Sequence, residues 1–298
     1  LLEENPESAL FPNVSFSAFI KPAKEVGGDF YEVIEKNNKL FVAIGDVAGK
    51  GVSAALLMAA TLTSIRSSVS YLSDPSDIVS TINEQLSQHN PDMIFVSLFF
   101  AVIDPTTGII EYVNAGHPSP FLYNTTVSKL SPTDSPVLGI NKSHYYKSLQ
   151  MELPPESVLL LITDGVTEAH NEKNELLGEQ AIQDNLLKLK FPSAHDTTAI
   201  IRDSVERFSK GRPIHDDITI LSLKYSAISQ EVPNPLTISF NNDMQELLKL
   251  QQVTKVFAKQ YDMSDRIQKS INLVLEELLS NTIYYGYNDK NQHKIFVK

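Results

Sequence analysis

Four aspartates set the problem that this chain must solve in folding. Each stands where an apolar run meets a turn rich in small residues: Val26-Gly27-Gly28-Asp29-Phe30, Ile44-Gly45-Asp46-Val47-Ala48-Gly49-Lys50-Gly51, Leu161-Ile162-Thr163-Asp164-Gly165 and His215-Asp216-Asp217-Ile218-Thr219. A single aspartate at such a junction is ordinarily an Asx turn or a helix cap. Four in one chain, far apart in sequence, point to a fold in which several strand ends converge. Hard divalent cations demand that arrangement, because they take carboxylate oxygens from distant segments and a two-ion site needs several of them.

The apolar pattern supplies such strands. Between residues 14 and 20, Val14, Phe16, Ala18 and Ile20 alternate with Ser15, Ser17 and Phe19, a period near two. Similar runs recur at 30–34, 40–44, 94–103, 110–114, 158–163 and 218–223. Helical spacing lies between them. Val52, Ala55, Leu56, Ala59, Leu62, Ile65, Val69 and Leu72 step by three or four and predict a long helix with a buried stripe. Asp74-Pro75 then offers a cap and a first-turn proline for a second helix through Ile78, Val79, Ile82 and Leu86, and two more are expected at 178–190 and 196–209. Strand runs separated by helix pairs, with hairpin turns such as Pro105-Thr106-Thr107-Gly108, imply an α+β layer architecture of antiparallel sheets covered by helices.

A chain of 298 residues exceeds what one core usually serves, so one large and one small domain are expected. The polar stretch at 226–236, with Pro233 and Pro235, reads as the linker between them. The net charge of -11 is uneven: residues 1–225 hold 17 Lys and Arg against 28 Asp and Glu, whereas 226–298 hold 8 of each. An acidic surface disfavours nucleic acid, which needs basic patches. With no cysteine, any metal must sit on oxygen or imidazole, which makes Mg²⁺ or Mn²⁺ the default. No apolar run of membrane-spanning length and no signal peptide stand out, so a cytoplasmic protein without a membrane segment in this stretch is expected. A start at Leu1 and an end at Lys298 suggest a piece of a longer protein, with residues 1–12 as the end of a helical connector from an N-terminal domain.

Five motifs together carry a specific likeness: Gly27-Gly28-Asp29-Phe30-Tyr31, Gly45-Asp46-Val47-Ala48-Gly49-Lys50-Gly51, Asn114-Ala115-Gly116-His117-Pro118, Thr163-Asp164-Gly165 and Asp216-Asp217-Ile218-Thr219. In this order and spacing, residues 13–225 resemble the PPM family of metal-dependent phosphatases, in the bacterial branch typified by stage II sporulation protein E. The resemblance implies an antiparallel β-sandwich flanked by helix pairs, in α-β-β-α layers. It implies two Mn²⁺ or Mg²⁺ ions, bridged by Asp46, with the backbone carbonyl of Val47 completing one shell and Asp164 and Asp216 holding the second ion. Asp29 would position the ions or their waters, and Asp217 would support the ligands. The implied reaction is hydrolysis of phosphoserine or phosphothreonine on a regulatory protein, such as a phosphorylated anti-sigma-factor antagonist, by an activated water. A homodimer is one assembly open to such a chain.

Two positions depart from better-known relatives. Ala48 stands where many of them carry a histidine that protonates the leaving oxygen, so the leaving-group acid is unassigned. Before Asp29 the cations are Lys21 and Lys24, with Lys24 the candidate for the substrate phosphate in place of their arginine. His117 reads as a structural, hydrogen-bonding residue. The glycines from Gly45 to Gly51 do not make a phosphate-binding P-loop, since three residues rather than four precede Gly49-Lys50 and Gly51 follows in place of Ser or Thr.

Residues 237–298 resemble the N-terminal portion of a histidine-kinase-like ATPase in its anti-sigma-factor serine kinase variant. Glu277 and Asn281, four apart on one helical face, would then be remnants of a nucleotide site. Tyr285 stands where those kinases often carry a histidine, and the adenine-contacting glycine loop is not in the sequence. Two alternatives to a working phosphatase stay open: a bifunctional partner-switching regulator and a docking module with little turnover.

Overall fold

The computed structural model of the chain describes residues 5–11, 13–88, 90, 93–190, 192–226, 238–243, 245–260, 263–286 and 293–297. It divides into two compact units, Leu1–Ile228 and Ser229–Lys298. Beyond Ser226, the linker expected at 226–236 lies outside the described residues.

In the first unit, strands β1 (Asn5–Phe11), β2 (Val14–Lys21), β3 (Phe30–Lys36) and β4 (Lys39–Val47) precede helices α1 (Val52–Tyr71) and α2 (Pro75–Gln88). Strands β5 (Val96–Ile103), β6 (Ile109–Ala115), β7 (Phe121–Tyr123), β8 (Val127–Lys129), β9 (Leu149–Glu152) and β10 (Ser157–Ile162) follow. Helices α3 (Asp164–Thr167), α4 (Gly178–Leu186) and α5 (Ala194–Ser209) and strand β11 (Ile218–Tyr225) complete it. The strands form two antiparallel sheets, ordered β1-β2-β11-β10-β7-β8 and β3-β4-β5-β6-β9.

Alternation along the strands builds the layers. Leu40, Val42 and Ile44 of β4, Phe99 and Ala101 of β5, Leu159 and Leu161 of β10 and Leu221 of β11 share the core between the sheets. Their neighbours Phe41, Ala43, Phe100 and Val102 face the opposite way and pack with Ile65, Val69, Ile78 and Ile82 of α1 and α2. On the other sheet, Leu160, Ile162 and Ile220 meet Ile182 of α4 and Ile201 and Val205 of α5. Central strands covered on both faces read as unbroken apolar runs, as in Val158-Leu159-Leu160-Leu161-Ile162. The expected antiparallel α+β layers are therefore present. Helix α5 starts where Ser193 and Asp196 form a reciprocal cap.

Three expectations are corrected. Residues 5–11 form a strand rather than the end of a helical connector: β1 pairs with the free edge of β2, Phe11 opposite Val14, and its irregular register suits an edge strand containing Pro6. The stripe predicted along α1 is buried only in part. Ile65 and Val69 are covered, but Val52 and Leu56 are 73% and 66% exposed, and the buried face turns through Ala54, Thr61, Ser64 and Ser68. By length and composition α1 is also apolar enough to cross a membrane, yet here it packs on α2, β3 and β4. The helix expected at 178–190 ends at Leu186.

The second unit contains β12 (Ile238–Asn241), α6 (Glu246–Gln260), α7 (Asp265–Tyr285) and β13 (Lys294–Val297), with β12 and β13 antiparallel and Phe240, Leu250 and Leu279 at its centre.

Phe99 has no exposed surface and stacks on Tyr112 with ring centroids 5.5 Å apart, at the middle of the inter-sheet core. Phe99→Ala is expected to destabilise the first unit by about 3–5 kcal/mol, the usual cost of emptying such a site. Urea unfolding followed by circular dichroism checks it; a loss under about 1 kcal/mol would mean that the sheets close over the gap.

Candidate metal centre

The four aspartate motifs arrive at one seam because the strands that carry them are neighbours. Phe30 pairs with Gly45, which sets Asp29 beside Asp46 at the same end of β3 and β4. Ile162 pairs with Ile220, and the Thr163 N–H donates to the Thr219 carbonyl at 3.1 Å, which sets Asp164 beside Asp216 at the same end of β10 and β11. The first pair belongs to one sheet and the second to the other.

Asp29 joins them. It is 4% exposed, and its Oδ2 accepts hydrogen bonds from Thr163 Oγ1 at 2.7 Å and Thr219 Oγ1 at 2.8 Å, both in the opposite sheet. Thr219 N–H in turn donates to Thr163 Oγ1 at 3.0 Å. One oxygen of Asp29 is thereby pinned, and the carboxyl group also lies within hydrogen-bonding reach of Asp46.

Asp217 has a different task. Its carboxylate accepts from the backbone N–H groups of Ala23 at 2.7 Å, Gly28 at 2.6 Å and Asp29 at 3.4 Å, and so ties down the loop that presents Asp29. Close approach explains two glycines here. A Cβ on Gly28 would stand 2.9 Å from the Val47 carbonyl oxygen, and one on Gly165 would collide with the Asp217 carbonyl. The Val47 carbonyl therefore lies against the same loop, with Asp46 Oδ1 3.5 Å from that Gly28 Cβ position.

The electrostatics are those of an under-compensated anionic cluster. Burial, and then the neighbouring Asp164 and Asp216, push Asp46 up to about 6. Burial, opposed by the two threonine hydrogen bonds and reinforced by Asp46, raises Asp29 well above the usual carboxylate range. Asp164 is raised by burial and by Asp216, with Lys50 acting the other way. Lys50 is the cation that meets the cluster: its Nζ lies 3.1 Å from Asp216 Oδ1 and donates to the His215 carbonyl at 2.6 Å. Lys24, the sequence candidate for a phosphate contact, is exposed on the loop, and among the described residues no hydrogen bond or ion pair ties it to the carboxylates.

Among the described residues, the acidic side chains are not drawn in as a closed set of three or more around one point. The donor set nevertheless suits a hard divalent cation: carboxylate oxygens, with Asp29 buried and Asp46, Asp164 and Asp216 part-exposed, and with burial and then mutual repulsion raising Asp29, Asp46 and Asp164 above the usual carboxylate range. His117 takes no part in it. Buried, with Nδ1 3.0 Å from Ser97 Oγ and its backbone N–H donating to Asn114 Oδ1, it is pulled down by burial to about 3 and stays neutral. Thr163, Thr219 and Lys50 were missed as site residues, although each stands inside a motif that was singled out. Glu277 and Asn281 both lie on exposed surface of α7 in the other unit.

Comparison with known proteins bears on the family and the fold. Residues 36–226 match the family model described as stage II sporulation protein E (SpoIIE). Phosphoserine phosphatase RsbU of Bacillus subtilis is 28% identical over 213 residues, covering 71% of this chain and 63% of RsbU. Protein IcfG of Synechocystis is 27% identical over 236 residues, covering 70% of this chain but only 37% of IcfG, so the chain spans less than two thirds of either relative. Two solved structures share the fold. The RsbU and RsbW domains of Rv1364c from Mycobacterium tuberculosis superpose with a TM-score of 0.73 at 22% identity, covering 94% of this chain and 78% of theirs. The PP2C phosphatase domain of SpoIIE from Bacillus subtilis, with a fragment of its regulatory domain, gives 0.60 at 22% identity, covering 74% and 70%.

The raised carboxylates set a pH dependence for the metal-free chain. A folded-state pKa near 6 for Asp46, against an unfolded 3.8, means that the native state holds the extra proton between those values. This group's contribution is therefore most favourable below about pH 4 and is lost as pH rises through 6. Asp46→Asn is expected to raise the melting temperature of the EDTA-treated chain at pH 7.5 by about 2–4 °C and to flatten its decline between pH 4 and 7. Differential scanning fluorimetry across pH checks this; a lower melting temperature at pH 7.5 would show that Asp46 is not under repulsive strain.

Proposed function

Because the chain belongs to the stage II sporulation protein E family, we propose that its first unit is a metal-dependent protein phosphatase that hydrolyses phosphoserine or phosphothreonine on a regulatory protein. The observation that carries this reading is the seam of mutually repelling carboxylates from two sheets, one buried and three part-exposed, a place built for added positive charge.

Two Mn²⁺ or Mg²⁺ ions fit the donors: Asp46 with the Val47 carbonyl, Asp164 and Asp216 as ligands, and Asp29 behind them. When bound, such ions acidify a water near neutral pH and offset charge on the phosphoryl oxygens. The chain's own residues do the positioning. Thr163 and Thr219 hold one oxygen of Asp29 and so keep its carboxyl group beside Asp46. Asp217 keeps the loop of residues 23–29 closed against Val47. Ala48 has no proton to give, so the leaving oxygen takes its proton from a group other than the side chain at that position.

As substrate we assign a phosphorylated anti-sigma-factor antagonist. Support comes from the relatives: RsbU is named a phosphoserine phosphatase, and the family is that of a sporulation regulator. The cytoplasm is the compartment this reading assigns. The second unit we assign to the N-terminal portion of a histidine-kinase-like ATPase. Its support is the order β12-α6-α7-β13, with Glu277 and Asn281 one turn apart on exposed α7, and a fold likeness that extends over 94% of the chain.

The test is hydrolysis of a generic phosphate ester and of a phosphoserine antagonist protein with Mn²⁺, with and without EDTA. Chelation, Asp46→Asn and Asp164→Asn are each expected to cut turnover by roughly 10³-fold or more, the scale of losing several kcal/mol of charge stabilisation. A chain that binds Mn²⁺ yet turns over neither substrate would favour the docking-module alternative.

A further inference from the structure

Lys50 sits in an unusual place for a surface lysine. Its ammonium lies 3.1 Å from Asp216 Oδ1 and 2.6 Å from the His215 carbonyl oxygen, joining the loop after β4 to the loop before β11. Its charge also bears on Asp164, the other carboxylate of that end of the seam. One ammonium thus pairs with one of the two acidic side chains that, on the reading above, would hold the second ion, and its charge is felt by the other.

The space around Lys50 is open. Gly49 and Gly51 flank it at φ of 97° and 92°, a left-handed region that favours glycine, and a Cβ at either position would meet nothing within 4 Å. The backbone is held on both sides, by the Ala48 N–H on the Phe95 carbonyl and the Ala55 N–H on the Gly51 carbonyl, while the lysine side chain itself is 41% exposed. Beside it opens a cavity of about 110 Å³ lined by Lys50, Glu168, His170, His215 and Asp216 among others. The ammonium has somewhere to go, with the Glu168 carboxylate on the cavity wall.

We propose that Lys50 is a built-in counter-ion for the Asp164–Asp216 end of the site: in the ion-free chain it stands in for the missing positive charge, and an incoming divalent cation displaces it. The proposal rests on the two-ion reading of the seam. It makes Lys50 a positioning residue that acts on the carboxylates, and it has two opposite consequences. The lysine steadies the empty site, and it weakens ion binding because its displacement must accompany occupancy.

Removing the charge while keeping a hydrogen-bonding side chain separates these roles. In Lys50→Gln, Mn²⁺ binding measured by titration calorimetry is expected to tighten about tenfold at the weaker site, the order of effect of removing one partly exposed competing charge. The EDTA-treated variant should melt below the unaltered chain, while the two should melt together at saturating Mn²⁺. Lys50→Arg, which keeps the charge, should stay near the unaltered chain in both measurements. Unchanged or weaker Mn²⁺ binding in Lys50→Gln, or an equal loss of melting temperature with and without Mn²⁺, would reduce Lys50 to a structural tether on the His215 carbonyl and overturn the proposal. If neither the unaltered chain nor the variant binds Mn²⁺, the two-ion reading falls as well.

Discussion

Like charge gathered where two sheets meet is the constraint on which this structure turns. Asp29 and Asp46 come from one sheet, Asp164 and Asp216 from the other, and burial and mutual repulsion hold Asp46 near 6 in the absence of a cation. Such a cluster opposes the folded state at neutral pH, so it persists only where surrounding packing over-determines it. The packing is visible: strands ending at the seam are covered on both faces, with Ile44, Phe99, Leu161 and Leu221 in the shared core and helices outside both sheets. Rigid strands deliver the carboxylates, and the turns that follow absorb the close approaches.

The acidic residues divide the labour by what donates to them. Asp29 and Asp217 are surrounded by fixed donors, two threonine hydroxyls for the first and three backbone N–H groups for the second. Those bonds fix the two carboxyl groups in place and spend them on architecture. Asp46, by contrast, has carboxylates as its main electrostatic neighbours, and Asp216 has Lys50, so these are the oxygens left for a cation. The adjacent pair Asp216-Asp217 shows the division within one turn: Asp216 Oδ1 meets Lys50 and the Asp217 N–H, whereas the Asp217 carboxylate is taken up by three backbone N–H groups of the loop before β3.

What was legible in the sequence follows the same line. Period-two and unbroken apolar runs marked the central strands, because burial on one or both faces leaves a direct trace in residue type. Strands β7, β8 and β9, of three or four residues each, left too short a pattern to be seen and owe their existence to neighbours. The carboxylates were legible because four aspartates recur at the ends of apolar runs in one chain, although any one of them alone would read as a turn or a cap. Their supporting groups were not. Thr163 and Thr219 look like ordinary strand-end residues, and only the pairing of β10 with β11 reveals that both hydroxyls reach one oxygen of Asp29. Lys24 was singled out as the cation near the site and Lys50 was not; the turn after β4, not residue type, decides that Lys50 reaches the acids.

Helix faces mark the limit of such reading. Periodicity announces that a helix exists, but its buried face depends on what the rest of the chain brings against it. In α1, Ile65 and Val69 meet the outer face of β4 and β5, whereas Val52 and Leu56 of the same stripe lie near the start of the helix, next to the Gly49-Lys50-Gly51 turn, and stay largely in solvent. In α7 the effect is larger: Leu279 is buried against Phe240 and Leu250, yet Ile267, Val274, Leu278 and Tyr285 are 50%, 56%, 59% and 82% exposed. Glu277 and Asn281 share that open side of the helix. A polar pair set among exposed apolar residues differs from the solvated stripe that charge spacing alone implies, since an uncovered apolar face is what further structure or a partner ordinarily covers. The same spacing that drew attention to Glu277 and Asn281 thus acquires meaning only from the apolar residues around it.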